Sequence, residues 1–93
     1  MLINMFMDAK QQRNYVLFKA LGDKTRYNII SELVKQERCA CELPKLVSRA
    51  QPTVSLQLKY LAKAGILSNR REGKKVIYKI SDRHVLRLFG KKV

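Results

Sequence analysis

The sequence has few histidines, glycines and acidic residues, and it has no tryptophan. Its 93 residues include one His, seven Asp and Glu, two Cys, two Pro and four Gly. One histidine and seven scattered acids supply neither a nucleophile–base pair nor a carboxylate pair, so we expect no enzyme activity. No apolar run approaches the ~20 residues that span a membrane, so no membrane partner is expected.

The apolar start of the chain, residues 1–7, is too short for a signal peptide and has no basic region before it. We therefore expect a cytoplasmic protein in which residues 1–12 form an N-terminal arm, either loose or in contact with a second subunit. In that compartment Cys39 and Cys41 are expected to be thiols and not a structural disulfide.

Positive charge is in excess, and most of it lies in one part of the chain. Twenty Lys and Arg give a formal net charge of +13. Residues 1–42 have a balance of +2, whereas residues 43–80 carry nine basic side chains against Glu72 alone, a balance of +8. Such a field attracts polyanions and predicts a nucleic-acid-binding face. A generally basic, solubilising surface is the alternative.

The length predicts a single domain over residues 1–93. A chain this short buries a small share of its surface, so its core is marginal. Burial of further apolar surface between two copies would relieve that, which favours a homodimer.

Apolar residues at helical spacing predict two N-terminal helices. Gly22 ends the first helix, and Asp23 is placed to cap the second. Residues of both apolar stripes are expected in the core: Tyr15, Leu17, Phe18, Leu21, Tyr27, Ile30, Leu33 and Val34.

Residues 42–64 have the pattern of a helix-turn-helix. A short helix is predicted over residues 42–48, a turn over residues 49–52 and an amphipathic helix over residues 53–64. The inward residues are expected to be Leu43, Leu46, Val47, Val54, Leu58 and Leu61.

The pattern then changes to the alternation of β-strands. Residues 66–80 are predicted to form a hairpin, or wing, with Gly73 at its tip. Residues 81–93 are predicted to form a last helix that joins two subunits, with Val85, Leu88 and Phe89 on its apolar side. The fold is therefore mainly α with a β-hairpin, a winged helix-turn-helix of order ααααββα.

Short polar and basic side chains on the fourth helix have the chemistry that reads base edges in the major groove. Gln pairs with adenine edges, Ser and Thr reach bases or phosphates, and an exposed Leu touches a thymine methyl. The candidates are Gln51, Thr53, Ser55, Leu56, Gln57 and Lys59. Four cations around the hairpin tip are expected to contact phosphates: Arg70, Arg71, Lys74 and Lys75. The alternatives are an ordinary solvated helix face and a solubilising hairpin.

These features resemble the ArsR/SmtB family of metal-responsive repressors from about Leu17 to Leu88. The segments that carry the resemblance are Phe18–Arg26 (FKALGDKTR), Cys39–Leu43 (CACEL), Gln51–Leu61 (QPTVSLQLKYL) and Arg71–Tyr78 (REGKKVIY). The resemblance implies a homodimer that binds double-stranded operator DNA and releases it when an inducer binds. Position 56 is often His in that family and is Leu here, which leaves the base preference open.

Cys39 and Cys41 match the position of a metal-ligand box in the family. Thiolates suit soft ions, so As(III), Cd(II), Pb(II) or Cu(I) are the candidate inducers, and no cofactor is required. Oxidation of the same thiols is the first alternative, and simple packing of two small side chains is the second.

Asp82 and His84 are similar to half of the zinc site found on the last helix of related sensors. The sequence has no other histidine to complete that site. Asp82 is expected to act as a helix-start anion, and His84 as a surface or interface residue.

The sequence thus predicts an ArsR-type DNA-binding repressor that a soft metal or metalloid releases from its operator. A thiol-redox repressor and a constitutive architectural nucleic-acid-binding protein are the alternatives.

Overall fold

The computed structural model describes residues 7–93, which fold into helices around a small antiparallel sheet. In chain order the elements are α1 Ala9–Leu21, α2 Lys24–Lys35, β1 Arg38–Cys39, α3 Leu43–Val47, α4 Gln51–Lys63, β2 Leu67–Glu72, β3 Lys75–Ile80 and α5 Arg83–Leu88. This order confirms the winged helix-turn-helix and adds one short strand, β1.

The first two helices begin at aspartates. Asp8 accepts a hydrogen bond from the Gln11 amide, and the Gln11 side chain accepts one from the Asp8 amide, which is a complete capping box. Asp23 caps α2, as predicted. Because α1 starts at Ala9, the expected arm over residues 1–12 is too long; residues 1–6 of that arm lie outside the described residues.

Helix α4 starts at Gln51, two residues before the predicted start at Thr53. Pro52 stands in its first turn, where the missing N–H has no helical partner to lose. The turn before it places Ser48 in the left-handed conformation, with φ of 55°. The turn between the two helices therefore spans residues 48–50, one residue fewer than the predicted turn over residues 49–52.

The sheet has the strand order β1-β3-β2, and both pairings are antiparallel. Gly73 lies in the turn between β2 and β3 at a φ of 62°, as expected for a hairpin tip. β1 was not predicted, because a two-residue strand has no alternation to detect. It pairs Arg38 with Tyr78 and Cys39 with Ile77 on the wing.

The core unites all the helices with the base of the wing. Most residues expected inside are buried, including Leu17, Ile30, Leu33, Val34 and the three inward residues of α4. The expected burial of Tyr15, Phe18, Tyr27 and Leu46 is wrong, since 42%, 64%, 46% and 43% of their surfaces are exposed. α1 buries only Leu17 and Ala20, so no element within residues 7–93 covers its other side.

The last helix is shorter than predicted. α5 ends at Leu88, whereas residues 81–93 were expected to be helical. Gly90 adopts a φ of 83°, and the Lys91 amide donates to the Leu86 carbonyl at 2.9 Å, which terminates the helix. Val85 is buried, while Leu88 is 58% exposed. Within residues 7–93 no helix has the length and apolar character needed to cross a membrane.

Candidate nucleic-acid interface

Packing on one side of α4 determines which of its side chains face solvent. Val54, Leu58 and Leu61 are at most 2% exposed and hold the helix against the core. The predicted contact residues that are fully exposed are Gln51, Thr53, Ser55, Leu56 and Lys59. The helix therefore presents short polar side chains and a 65% exposed leucine on one continuous face.

Gln57 differs from the other predicted contact residues of α4. Its side chain is half-buried, and its Oε1 accepts a hydrogen bond from Nη1 of Arg26 at 3.1 Å. Arg26 lies 31 residues away in the sequence, near the start of α2. The sequence offered no local pattern from which this contact between α2 and α4 was foreseeable.

Three of the four cations around the hairpin tip are free of ion pairs. Arg71, Lys74 and Lys75 are exposed, and no carboxylate among residues 7–93 pairs with them. The register places Arg71 opposite Val76, on the other face of the hairpin from Lys75. Cations therefore project from both faces of the hairpin and from its turn.

Arg70, the fourth wing cation, is held by two carboxylates. It donates from Nη1 to Glu37 at 3.0 Å and from Nε to Glu72 at 2.8 Å, and its Nη2 lies 2.6 Å from each carboxylate. The hydrogen bond from Arg70 lowers the pKa of Glu37, and the same bond raises the pKa of Arg70. Arg70 therefore links the wing to the segment between α2 and β1.

Cys39 and Cys41 lie in β1 and the turn that follows it, and the structure joins them in a disulfide. This corrects the expectation of thiols: the turn brings their Cα atoms to 5.1 Å, within reach of a sulfur bridge. The turn is tied to two elements. The Ala40 amide donates to Val76 of the wing at 2.8 Å, and Glu42 Oε1 accepts from the Cys39 amide at 2.9 Å.

Asp82 and His84 lie at the start of α5. Asp82 caps the helix by accepting a hydrogen bond from the His84 amide at 2.8 Å, which agrees with its expected role. Both residues line an open cavity of about 770 Å³, together with Lys10 and Arg13 of α1. Two nearby cations disfavour a metal ion, and residues 7–93 contain no cluster of three metal-ligating side chains.

Exposed aromatic and aliphatic side chains occur on α1, α2 and the end of α5. They include Tyr15, Phe18, Tyr27 and Leu88. The Tyr27 ring packs against Phe89, with centroids 5.5 Å apart. We call these five side chains the apolar face; it includes side chains of the first and last helices, which the sequence predicted to join two subunits.

Known proteins of related sequence and structure are transcriptional regulators. The Transcriptional repressor SmtB homolog of Synechocystis is 35% identical over 85 residues, which cover 91% of this chain and 64% of that protein. The Cadmium resistance transcriptional regulatory protein CadC homolog of Staphylococcus aureus is 38% identical over 76 residues, covering 81% and 63%. The chain thus matches less than two thirds of each relative's length.

A solved homodimeric winged helix-turn-helix DNA-binding domain from Mycobacterium bovis, described as a possible ArsR-family transcriptional regulator, has a TM-score of 0.78 and 30% identity. The match covers 87% of this chain and 75% of that one. The model of bacterial regulatory proteins of the arsR family matches residues 23–69, from the cap of α2 to the start of the wing. The chain belongs to the ArsR family of bacterial regulatory proteins.

Proposed function

We propose that the protein is a homodimeric, DNA-binding transcriptional repressor of the ArsR type and not an enzyme. The observation that carries this proposal is the exposed polar face of α4 beside a wing with three unpaired cations. A helix of that character fits the major groove, and cations on a projecting hairpin fit the adjacent phosphates.

The two parts of the interface have different tasks in this proposal. Gln51, Thr53, Ser55, Leu56 and Lys59 contact the major groove, where donors, acceptors and the thymine methyl distinguish base pairs. Arg71, Lys74 and Lys75 contact phosphates, which carry no sequence information.

The apolar face supplies the dimer contact. An apolar patch of this kind, left open by a small core, is typical of an interaction site. The homodimeric relative from Mycobacterium bovis supports a second copy of the chain as its partner.

A comparison of two duplexes tests the function. One is selected by the protein from a random library, and the other is a random duplex of equal length. A repressor binds the selected duplex at least a thousandfold more tightly, the lower end of the range for specific DNA-binding proteins, ~10³ to 10⁷. Equal affinities would instead support a constitutive architectural protein.

For the inducer, we propose a soft metal or metalloid held by the reduced Cys39–Cys41 pair. The turn brings the two sulfurs together, and thiolates prefer As(III), Cd(II), Pb(II) or Cu(I). The name of the cadmium-resistance relative supports this chemistry. Two sulfurs supply part of a ligand set, and water or a small thiol would complete it.

A second candidate for the signal is oxidation of the same pair, and the Cys39–Cys41 disulfide favours it. Hydrogen peroxide would take two electrons and two protons from the two thiols, yielding the disulfide and two waters. Through Ala40 and Glu42, either event would disturb the wing strand and the segment before α3.

Titration of the reduced protein–DNA complex separates these signals. Arsenite or Cd(II) is expected to release the DNA, more effectively as pH rises toward a thiol's ~8.5. Release by peroxide, reversed by dithiothreitol, supports the redox signal instead. The matched control is Cys39→Ser/Cys41→Ser; if it responds as the wild type does, or if no agent releases the wild type, the cysteines only pack.

A further inference from the structure

Arg26 of α2 contacts two other helices, α1 and α4. It belongs to the first turn of α2, and its Nε and Nη2 donate to the carbonyls of Ala20 and Lys19 in α1 at 3.1 and 3.2 Å. Its Nη1 donates to Gln57 Oε1 of α4 at 3.1 Å, and its Cζ lies 4.3 Å from the centroid of the Tyr60 ring. One planar guanidinium therefore links α1 to the recognition helix.

The contacts on the α1 side have a clear electrostatic basis. The last carbonyls of a helix have no N–H partner within it and carry the negative end of the helix dipole. A guanidinium there satisfies two of them and gains from the dipole. The Arg26 backbone is also fixed, since its amide donates to the capping carboxylate of Asp23 at 3.0 Å.

The contacts on the α4 side hold Gln57 and Tyr60 together. These residues are three apart, so they lie on the same flank of the helix. The Arg26 guanidinium lies over the Tyr60 ring, and Gln57 accepts a hydrogen bond from one of its N–H groups. Both side chains are half-buried, between the buried side of α4 and its exposed face.

This arrangement determines which atoms Gln57 has left for DNA. Arginine only donates hydrogen bonds, so the carbonyl oxygen of the amide must face Arg26 and the NH₂ group must point away. Bidentate pairing of glutamine with adenine needs both the oxygen and the nitrogen. While Gln57 holds Arg26, that pairing is not available to it.

We propose that Arg26 is a positioning residue for DNA recognition and that Gln57 is its anchor on α4 instead of a base-reading side chain. The inference rests on the proposed function. Arg26 fixes the angle of α4 relative to α1, and α1 carries Tyr15 and Phe18 of the apolar face. In a dimer, this contact sets the position of each recognition helix relative to the subunit interface.

A double-mutant cycle on the selected and random duplexes tests the coupling. Arg26→Ala and Gln57→Ala are each expected to lower affinity for the selected duplex by roughly tenfold to a hundredfold, the range for a hydrogen bond to a charged group. Random-duplex affinity should change much less. The double variant should bind no more weakly than Arg26→Ala, because Gln57 acts through Arg26.

The matched control pairs Arg26→Ala with Gln51→Ala, on the exposed side of α4. The losses of binding free energy from those two changes should add, since no hydrogen bond or ion pair within residues 7–93 joins Arg26 to Gln51. If the losses from Arg26→Ala and Gln57→Ala also add, Gln57 acts independently of Arg26 and the inference is overturned.

Two further variants separate positioning from folding stability. Gln57→Glu keeps an acceptor for Arg26, so the ratio of selected to random affinity should stay near the wild-type value although the added charge weakens both. Gln57→Leu should lower that ratio. Equal loss of the ratio in both variants would mean that the amide itself reads a base. If the wild type does not discriminate between duplexes, the proposed function fails and this inference fails with it.

Discussion

Helix α4 and the wing expose different sets of side chains. On α4 the exposed groups include the short hydroxyls of Thr53 and Ser55 as well as Lys59, and the helix beneath them is fixed by Val54, Leu58 and Leu61. On the wing the exposed groups are long cations at the end of a two-stranded hairpin. Rigid, short groups suit the reading of base edges, whereas long flexible charges suit phosphates. In the proposed function, α4 thus provides specificity and the wing provides affinity.

The cations around the hairpin tip also differ from one another in their ion pairs. Arg70 is fixed by Glu37 and Glu72, while Arg71, Lys74 and Lys75 are unpaired within residues 7–93. A cation already paired with two carboxylates has less to gain from a phosphate. We therefore assign Arg70 to the placement of the wing and the other three to DNA contact.

The largest effect is expected from removing the three free wing cations. Arg71→Ala/Lys74→Ala/Lys75→Ala should weaken binding to selected and random duplexes alike. The slope of log affinity against log salt should become shallower by ~0.9 per lost phosphate contact. Affinity measured by fluorescence anisotropy at several salt concentrations provides both quantities.

The matched control for that triple variant is Lys10→Ala/Lys91→Ala/Lys92→Ala, which removes three exposed cations outside the proposed interface. Its salt slope should remain close to that of the wild type. An unchanged slope in the wing variant would place the wing outside the interface. It would contradict the proposal that the wing contacts phosphates while α4 reads bases.

A smaller, sequence-dependent effect is expected on α4. Ser55→Ala should reduce discrimination between the selected duplex and one changed at the contacted base by about 0.5–1.5 kcal/mol, the range for a single neutral hydrogen bond. Its salt slope should not change, because no charge is removed. Equal losses on selected and random duplexes would show that Ser55 contacts the backbone and does not read a base.

The smallest effect is expected at Glu37. Glu37→Gln removes one of the two carboxylates that hold Arg70, so the wing loses part of its anchor and affinity for both duplexes should fall slightly. The salt slope should change by much less than the ~0.9 of one phosphate contact, because Arg70 contacts no phosphate. Since the pKa of Glu37 is lowered, the ion pair is complete at neutral pH and is lost only as pH falls through that lowered pKa. The measurement therefore belongs at neutral pH. Tighter binding with a salt slope steeper by about 0.9 would mean that the released Arg70 contacts a phosphate, which would contradict its assignment to wing placement.

Local patterns in the sequence were sufficient for most of the fold. Helical spacing located Val54, Leu58 and Leu61 in the core, and Asp23 and Gly73 marked a helix start and a hairpin tip. Contacts between residues far apart in the sequence could not be predicted from such local patterns. The pairing of Cys39 with Ile77, of Arg26 with Gln57 and of Arg70 with Glu37 each joins residues more than thirty positions apart.

The exposed aromatic residues show a second limit of sequence patterns. The spacing of Tyr15 and Phe18 correctly indicated a helix with apolar residues, but periodicity does not say which partner covers them. In a single chain they remain open to solvent. Whether an apolar stripe meets its own core or a second subunit depends on how many other elements the chain has to cover it.

Hydroxyl-radical footprinting of the complex with the selected duplex tests the central claim most directly. A homodimer with one recognition helix per subunit predicts an inverted repeat with two protected half-sites on one side of the duplex, ~34 Å or one helical turn apart. Protection of a single half-site, or uniform protection without an enriched sequence, would contradict a dimeric winged-helix repressor.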